Sequence, residues 1–189
     1  MKRIILVISA LASLCFISCA QGKKNENDYN NKNMVLVAYF SATGTTEGVA
    51  KKIAAATDGD ILEIKPEVGY SSDDLDWTDN SSRSSRESAN RQSRPGIVLE
   101  TNDVSSYEVI FLGYPVWWDE APRVINTFIE TFGLEGKKVI PFATSGGSGI
   151  ANSVNVLRKS YPSINWQSGK LLNRASSASV KEWTESLGL

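Results

Sequence analysis

The chain has 189 residues, with 20 basic and 21 acidic side chains and a formal net charge of −1 at pH 7. It contains no histidine, and its two cysteines, Cys15 and Cys19, both lie near the N-terminus. This composition excludes Ser-His-Asp catalysis, zinc sites with histidine ligands and, beyond residue 19, any cysteine chemistry. Chemistry in the rest of the chain must come from carboxylates, hydroxyls, tyrosines or a bound cofactor. No basic stripe is present, which argues against a nucleic-acid partner.

The first residues predict export. Two basic residues precede a mostly apolar run over residues 4–17, which is too short to span a bilayer comfortably. A small residue then precedes Cys19, and this ending resembles the lipobox of bacterial lipoproteins, although Phe16 stands where leucine is commoner. The resemblance implies a signal peptide at 1–18, acylation of Cys19 and a lipid anchor on the extracytoplasmic side as the only membrane contact. The alternative is a plain cleaved signal peptide with an incidental cysteine.

Two further segments follow from composition. Residues 19–33 are polar and rich in asparagine without apolar periodicity, which predicts a flexible tether. Residues 34–189 are enough for one domain with a sizeable core.

The apolar pattern from residue 34 alternates between strands and helices. Helical spacing predicts helices after the strands, including one over 122–132 and a polar surface helix over 85–94. This alternation predicts an α/β fold on a five-stranded parallel sheet. Strands are predicted at 34–40, 60–64, 107–113, 138–143 and, more weakly, 166–172.

A hydroxyl-rich loop follows the first strand directly. Gly44 allows a tight turn that exposes backbone N–H groups, and the hydroxyls can donate to phosphate oxygens. The next helix adds unpaired N–H donors and a partial positive charge at its N-terminus. We therefore predict a phosphate cradle with no lysine or arginine in the loop; the alternative is an ordinary turn that caps the helix. The loop consists of Ser41, Ala42, Thr43, Gly44, Thr45 and Thr46.

Two more unusual loops follow the third and fourth predicted strands. The first carries Trp117 and Trp118, and exposed indoles at a strand end favour stacking against a flat aromatic ligand, with one of the two packing as core. The second, residues 144–149, has three glycines that permit close approach to the edge of such a ring. Because the carboxyl ends of parallel strands share one edge, we expect all three loops to form one site there.

The hydroxyl-rich loop, the motif Gly-Tyr-Pro-x-Trp-Trp at 113–118 and the run Pro-Phe-Ala-Thr-Ser-Gly-Gly-Ser-Gly at 141–149 together resemble the flavodoxin family. The resemblance implies a doubly wound sheet of strand order 2-1-3-4-5 with helices on both faces, and one non-covalent FMN. It places the phosphate on the 41–46 loop. The resemblance further implies ring contacts from Pro115, Val116, Trp117 and Trp118, and contacts to the far ring edge from Thr144, Ser145, Gly146 and Gly147.

The family resemblance leaves the activity open between three hypotheses. The chain is either an electron carrier for a redox partner protein or small-molecule acceptor, an FMN-dependent NAD(P)H:quinone or nitro/azo reductase, or a non-enzymatic flavin-binding module. The 144–149 loop lacks the tyrosine with which many flavodoxins cover the ring, so one ring face is expected to be open.

Two groups of charged residues also carry expectations. Asp119 and Glu120 either lower the flavin potential through their charge or cap the next helix. The Arg- and Ser-rich segment 80–95 is interpreted as solvated surface; alternatively it folds over the site with Tyr70 or Trp77 contributing.

Overall fold

The computed structural model describes residues 34–101 and 103–189. The predicted signal peptide, Cys19 and the tether lie outside the described residues. Within the described ranges, no helix combines the length and apolar character that crossing a membrane requires.

The described chain alternates strands and helices from its first residues, as the apolar pattern predicts. A single 3-10 turn at Asp73–Leu75 interrupts the polar segment after β2. The strands are β1 Val35–Tyr39, β2 Asp60–Glu63, β3 Val109–Pro115, β4 Lys138–Thr144, β5 Asn165–Trp166 and β6 Lys170–Leu171. The helices are α1 Thr45–Thr57, α2 Arg83–Ala89, α3 Arg123–Phe132, α4 Ala151–Ser160 and α5 Ser177–Glu185.

The sheet is parallel throughout, in the order β2-β1-β3-β4-β5, which confirms the predicted doubly wound α/β arrangement. The last strand, predicted as one run over 166–172, is instead two short strands, β5 and β6, which pair with β4 separately. The carbonyls of Val139 and Ala143 accept hydrogen bonds from the N–H groups of Gln167 and Leu172, next to β5 and β6. By alternation, the backbone of Pro141, midway between them, is turned toward the same neighbouring segment. Proline has no N–H to donate, and the ladder breaks opposite it.

Each face of the sheet has its own apolar core, as alternation along β1 shows. Val35, Val37 and Tyr39 pack on the side of α1 and α5, with Ile53 and Trp183. The intervening side chains point to the opposite layer, which α3 and α4 cover. That second core contains Leu36, Ala38, Phe40, Val124, Ile125, Phe128, Ile129 and Leu157. Helices therefore lie on both faces, and the strand ends are left free at the edges.

Two helices differ from their predicted bounds. The polar helix predicted over 85–94 is the shorter α2, which ends before Asn90, and its Ser84 and Ser85 are buried rather than on a polar surface. The side chain of Ser82 caps its start by accepting from the Ser85 N–H. The helix predicted from Pro122 begins one residue later, and Pro122 occupies the capping position with extended backbone.

Gly113 in β3 lies directly beneath the ring of Phe142 in β4. A Cβ added at Gly113 would lie 2.1 Å from Cζ of Phe142, whose side chain is fully buried. We expect Gly113→Ala to lower the free energy of unfolding by about 1–3 kcal/mol, because the ring can move only by displacing close-packed neighbours. Urea unfolding followed by circular dichroism measures this. Gly48→Ala, where the added Cβ would meet no atom within 4 Å apart from its chain neighbours and the backbone of its own helix, is the matched control and should not destabilise the protein.

Candidate functional site

The first loop presents an uncapped helix N-terminus. Gly44 occupies the capping position of α1 with φ 81°, in the left-handed region, and no side chain accepts a hydrogen bond from the first turn. Its carbonyl accepts from the N–H of Gly48 at 3.0 Å, so the helix starts regularly. The first N–H groups of a helix have no intrahelical partner, and here no side-chain cap occupies them. The alternative of a Ser/Thr side chain capping the helix is therefore not what the structure shows, and the first N–H groups of α1 are left available to an anion.

The hydroxyls of the loop divide into two roles. Thr46 Oγ1 lies 2.9 Å from Thr144 Oγ1, and both residues are buried, so this hydrogen bond ties the first loop to the third. Thr43 Oγ1 and Thr45 Oγ1 lie 3.3 Å apart and are exposed. Thr43 and Thr45 are thus available to a ligand, whereas Thr46 mainly joins the loops.

The Trp-containing loop is a tight reverse turn. Trp117 and Glu120 exchange both backbone hydrogen bonds, at 3.0 and 2.9 Å. The two residues between them, Trp118 at φ 47° and Asp119 at φ 61°, both adopt left-handed backbone, which is the type I′ geometry that usually takes Asn-Gly. Asn152 from α4 donates to the Asp119 carbonyl at 3.0 Å and supports the turn. Two non-glycine residues held in this conformation mark a strained segment of the kind that concentrates at functional sites.

The two indoles of this turn have different environments. Trp117 is half-buried, packing edge-on against Phe40 at 5.5 Å and Tyr70 at 5.2 Å between ring centroids. Trp118 is 42% exposed at the end of the turn. One tryptophan therefore packs as core and the other is available for stacking.

Glu120 does not cap the following helix, since α3 has no side-chain cap. Its two carboxylate oxygens instead accept from Arg91 at 2.7 Å and Arg123 at 2.9 Å. Arg123 is buried and also donates to the carbonyls of Glu87 and Ser88 at the end of α2. Two guanidinium groups compensate the charge of Glu120, so of the two carboxylates only exposed Asp119 is left to influence a nearby flavin.

The third loop is fixed in place by the side chain of Asn173, which lies between β6 and α5. The amide of Asn173 accepts from the Ser145 N–H at 2.8 Å and donates to the Ser145 carbonyl at 2.9 Å. Beyond Ser145, a Cβ added at Gly146 or Gly147 would meet no atom within 4 Å. Open space therefore lies beside the two glycines, as close approach of a flat ligand requires.

These loops line one open cavity of about 1290 Å³. This volume exceeds the range of about 300–1000 Å³ usual for drug-sized ligands, so the cavity has room for a ligand of at least that size. Thirteen of the fourteen residues predicted to bind the cofactor line it, Gly44 being the exception. Ser148 of the predicted 144–149 loop also lines the cavity, as do Trp77 and Ser84, which the sequence offered only in the alternative interpretation of the polar segment. The sequence analysis assigned no site role to three further lining residues, Leu75, Asn173 and Arg174.

Part of the polar segment after β2 packs against the site, which corrects its interpretation as solvated surface. Tyr70 contacts Trp117, carries the Arg83 guanidinium 4.1 Å from its ring centroid, and donates its hydroxyl to Glu87 at 2.5 Å. Burial and this hydrogen bond raise the pKa of Tyr70, so it remains a proton donor. Trp77 is 74% exposed at the cavity. An exposed tryptophan within a Ser- and Asp-rich stretch was the signal in the sequence for this contribution.

The buried Tyr114, beneath the Trp turn, is expected to make the folding stability of the protein sensitive to high pH. Burial raises its pKa to about 12, and its hydroxyl lies 3.1 Å from Ser153 Oγ. An unfolded tyrosine titrates near pH 10, so the unfolded state loses its proton first and stability falls as pH rises from about 10 to 12. We expect Tyr114→Phe to flatten this decline relative to the wild type. Thermal unfolding at pH 8, 10, 11 and 12 checks it; parallel declines in both proteins would contradict the assignment.

The comparisons with known proteins agree with this geometry. The family model described as flavodoxin matches residues 34–187. The chain belongs to the flavodoxin family. Among solved structures, the chain is similar to a putative flavoprotein from Bacteroides uniformis, with 50% identity over 81% of this chain and 98% of that one and a TM-score of 0.79. A putative flavoprotein from Bacteroides eggerthii is similar at 51% identity, 82% and 98% coverage and the same TM-score.

A more distant structure supports the fold alone. A flavoprotein from Lactobacillus acidophilus, determined in complex with FMN, is 22% identical over 80% of this chain and 99% of that one, with a TM-score of 0.63. No curated protein sequence matched the chain significantly.

Proposed function

We propose that this protein binds one FMN in the 1290 Å³ cavity and transfers electrons through it. One observation carries the proposal: a single cavity combines an uncapped helix N-terminus, suited to a phosphate, with two exposed indoles, suited to a flat ring system. Because one cavity is lined by both groups, it suits a ligand that carries both a phosphate and a flat ring system.

Each end of the cavity has a defined role in the proposal. The N–H groups at the start of α1 and the hydroxyls of Ser41, Thr43 and Thr45 hold the phosphate. Trp118 and Trp77 flank the ring, and the backbone around Gly146 and Gly147 reaches its polar edge. FMN when bound supplies the redox chemistry, and these residues orient it and limit water around the ring.

The proposed partner is a redox protein or a small-molecule acceptor that approaches the exposed indole end of the cavity. The alternatives are an NAD(P)H-dependent reductase of quinones or of nitro or azo compounds, and a flavin-binding module without electron transfer. A nucleic-acid partner is not part of the proposal, because the chain is slightly acidic.

A binding titration tests the cofactor assignment. Residues 33–189 form one compact unit that contains both cores, so a protein starting at Met34 is suitable. We expect FMN to bind at least 10-fold more tightly than riboflavin, since only FMN offers a phosphate to α1. A protein that takes up neither flavin would refute FMN binding.

Redox measurements then separate the three activities. Reversible reduction of the bound flavin and electron exchange with an added acceptor, without NAD(P)H consumption, is expected for a carrier. Rapid NAD(P)H turnover with a quinone would replace the carrier by the reductase. Bound flavin that exchanges no electrons would leave only the flavin-binding module.

We also propose that residues 1–18 direct export and that Cys19 is acylated, anchoring the domain on the extracytoplasmic side through a tether at 19–33. The support is the sequence pattern of the N-terminus alone. Metabolic labelling with a fatty acid is expected to mark the full chain and to be lost in Cys19→Ser. Cys15→Ser is the matched control and should keep the label; loss in both variants, or label in neither protein, would contradict the proposal.

A further inference from the structure

Among the residues that the structure describes, Arg174 is the one charged residue in the lining of the cavity. None of the described residues in the lining is a carboxylate, so this lining carries one net positive charge. A cavity of this kind favours an anion over a neutral or cationic ligand.

Two neighbours fix the position of Arg174 in the fold. Asn173 is bonded in both directions to the backbone of Ser145 in the third loop. Ala175 accepts from Lys52 Nζ of α1 at 2.7 Å. Arg174 thus lies between the third loop and α1, the helix whose N-terminus forms the proposed phosphate site.

The backbone at Arg174 is also unusual. Its φ of 50° lies in the left-handed region, where a residue with a side chain costs about 1–2 kcal/mol. Glycine or asparagine would occupy this position at lower cost, but neither provides a cation. The side chain is exposed, and within the described residues it makes no ion pair or hydrogen bond. The nearest acidic group on α1, Glu47 in its first turn, is already paired with Lys51.

We infer that Arg174 is the counter-ion of the phosphate in the proposed FMN complex, a role that rests on the proposed function. The phosphate loop itself contains no lysine or arginine, so N–H groups, hydroxyls and the dipole of α1 leave most of the dianion's charge uncompensated. A guanidinium can supply two parallel N–H donors to phosphate oxygens. Arg174 completes the site from a segment of the chain remote from the loop.

The test compares FMN with riboflavin, which lacks the phosphate, in the protein that starts at Met34. Arg174→Met removes the charge and the donors while keeping the side chain long. We expect this variant to bind FMN about 10-fold more weakly, or worse, and riboflavin as well as the wild type does. Arg174→Lys should recover most of the FMN affinity, and the dependence of FMN binding on salt should be shallower in Arg174→Met.

Lys159→Met is the matched control, because it removes an exposed cation that does not line the cavity. It should change neither affinity. If Arg174→Met weakens FMN and riboflavin equally, or neither, Arg174 does not contact the phosphate and the inference is overturned while FMN binding stands. If the wild type binds no FMN, the proposed function fails first, and the two failures are therefore distinct.

Discussion

Replacing Arg123 by methionine is expected to lower the free energy of unfolding by about 3 kcal/mol or more, as when one partner of a buried ion pair is removed. The side chain of Arg123 is 6% exposed, and it pairs with Glu120 at 2.9 Å. Its loss leaves the Glu120 carboxylate, 13% exposed, with one partner fewer and two backbone carbonyls of α2 without their donor. Urea unfolding at neutral pH measures the change.

Arg91→Met provides the matched control. Arg91 contacts the other oxygen of the same carboxylate at 2.7 Å, but its side chain is 69% exposed. Exposed ion pairs contribute about 0–1 kcal/mol, so this variant should be nearly as stable as the wild type. Equal losses in the free energy of unfolding of Arg123→Met and Arg91→Met would show that burial does not determine how much each ion pair contributes to stability.

Arg123 also connects stability to the site. Its contacts join the end of α2 to the Trp turn, and α2 in turn carries Ser84 of the cavity lining. Loosening this junction is expected to weaken flavin binding even though Arg123 does not line the cavity. A conservative Arg123→Lys should recover stability only in part, because one ammonium group cannot match the planar fork of a guanidinium.

The fold could be predicted because local patterns and global topology agree. The buried runs of β1, β3 and β4 have the continuous apolar character of parallel central strands, and alternation around β1 assigns its residues to two cores. The carboxyl ends of these strands must share an edge, so the sequence predicts that the three loops lie together. The sheet order confirms the shared edge, and residues of all three loops line one cavity there.

The break in the last strand could not be read from its own residues. It arises opposite Pro141 of β4, whose missing N–H faces that strand. Whether a proline faces one neighbour or the other depends on register, which the sequence pattern leaves open. The break between β5 and β6 is thus determined by a residue of the neighbouring strand β4.

The missed parts of the site share a different cause. Leu75, Trp77 and Ser84 belong to a polar segment without periodicity, and long-range packing rather than local propensity places it. Arg174, and the turn conformation of Trp118, were missed because both residues adopt left-handed backbone without being glycine, asparagine or aspartate, so no turn residue marks them. These exceptions to local rules occur around the cavity, where function is expected to override propensity.

The double variant Trp77→Ala, Trp118→Ala is expected to bind FMN about 30-fold more weakly than the wild type, or worse. The two indoles are 74% and 42% exposed, and both line the cavity. Stacking of a flat base on one aromatic side chain contributes about 1–3 kcal/mol, and two such contacts together reach about 2 kcal/mol at the least. Each 1.4 kcal/mol corresponds to about tenfold in affinity. Titration of FMN, followed through its fluorescence, measures the loss in the single and double variants.

Comparing the loss of FMN affinity with the loss of riboflavin affinity shows which part of the ligand the two indoles contact. Because the ring rather than the phosphate is affected, riboflavin affinity should fall by the same factor as FMN affinity, unlike the result expected for Arg174→Met. Trp→Phe at both positions should keep much of the affinity, since a smaller ring still stacks. Leu99→Ala, which removes an exposed apolar side chain outside the cavity, should leave binding unchanged. Wild-type affinity in the double variant Trp77→Ala, Trp118→Ala would show that the flavin ring lies elsewhere. An unchanged free energy of unfolding in this double variant would confirm that the measured loss of affinity comes from the lost ligand contact.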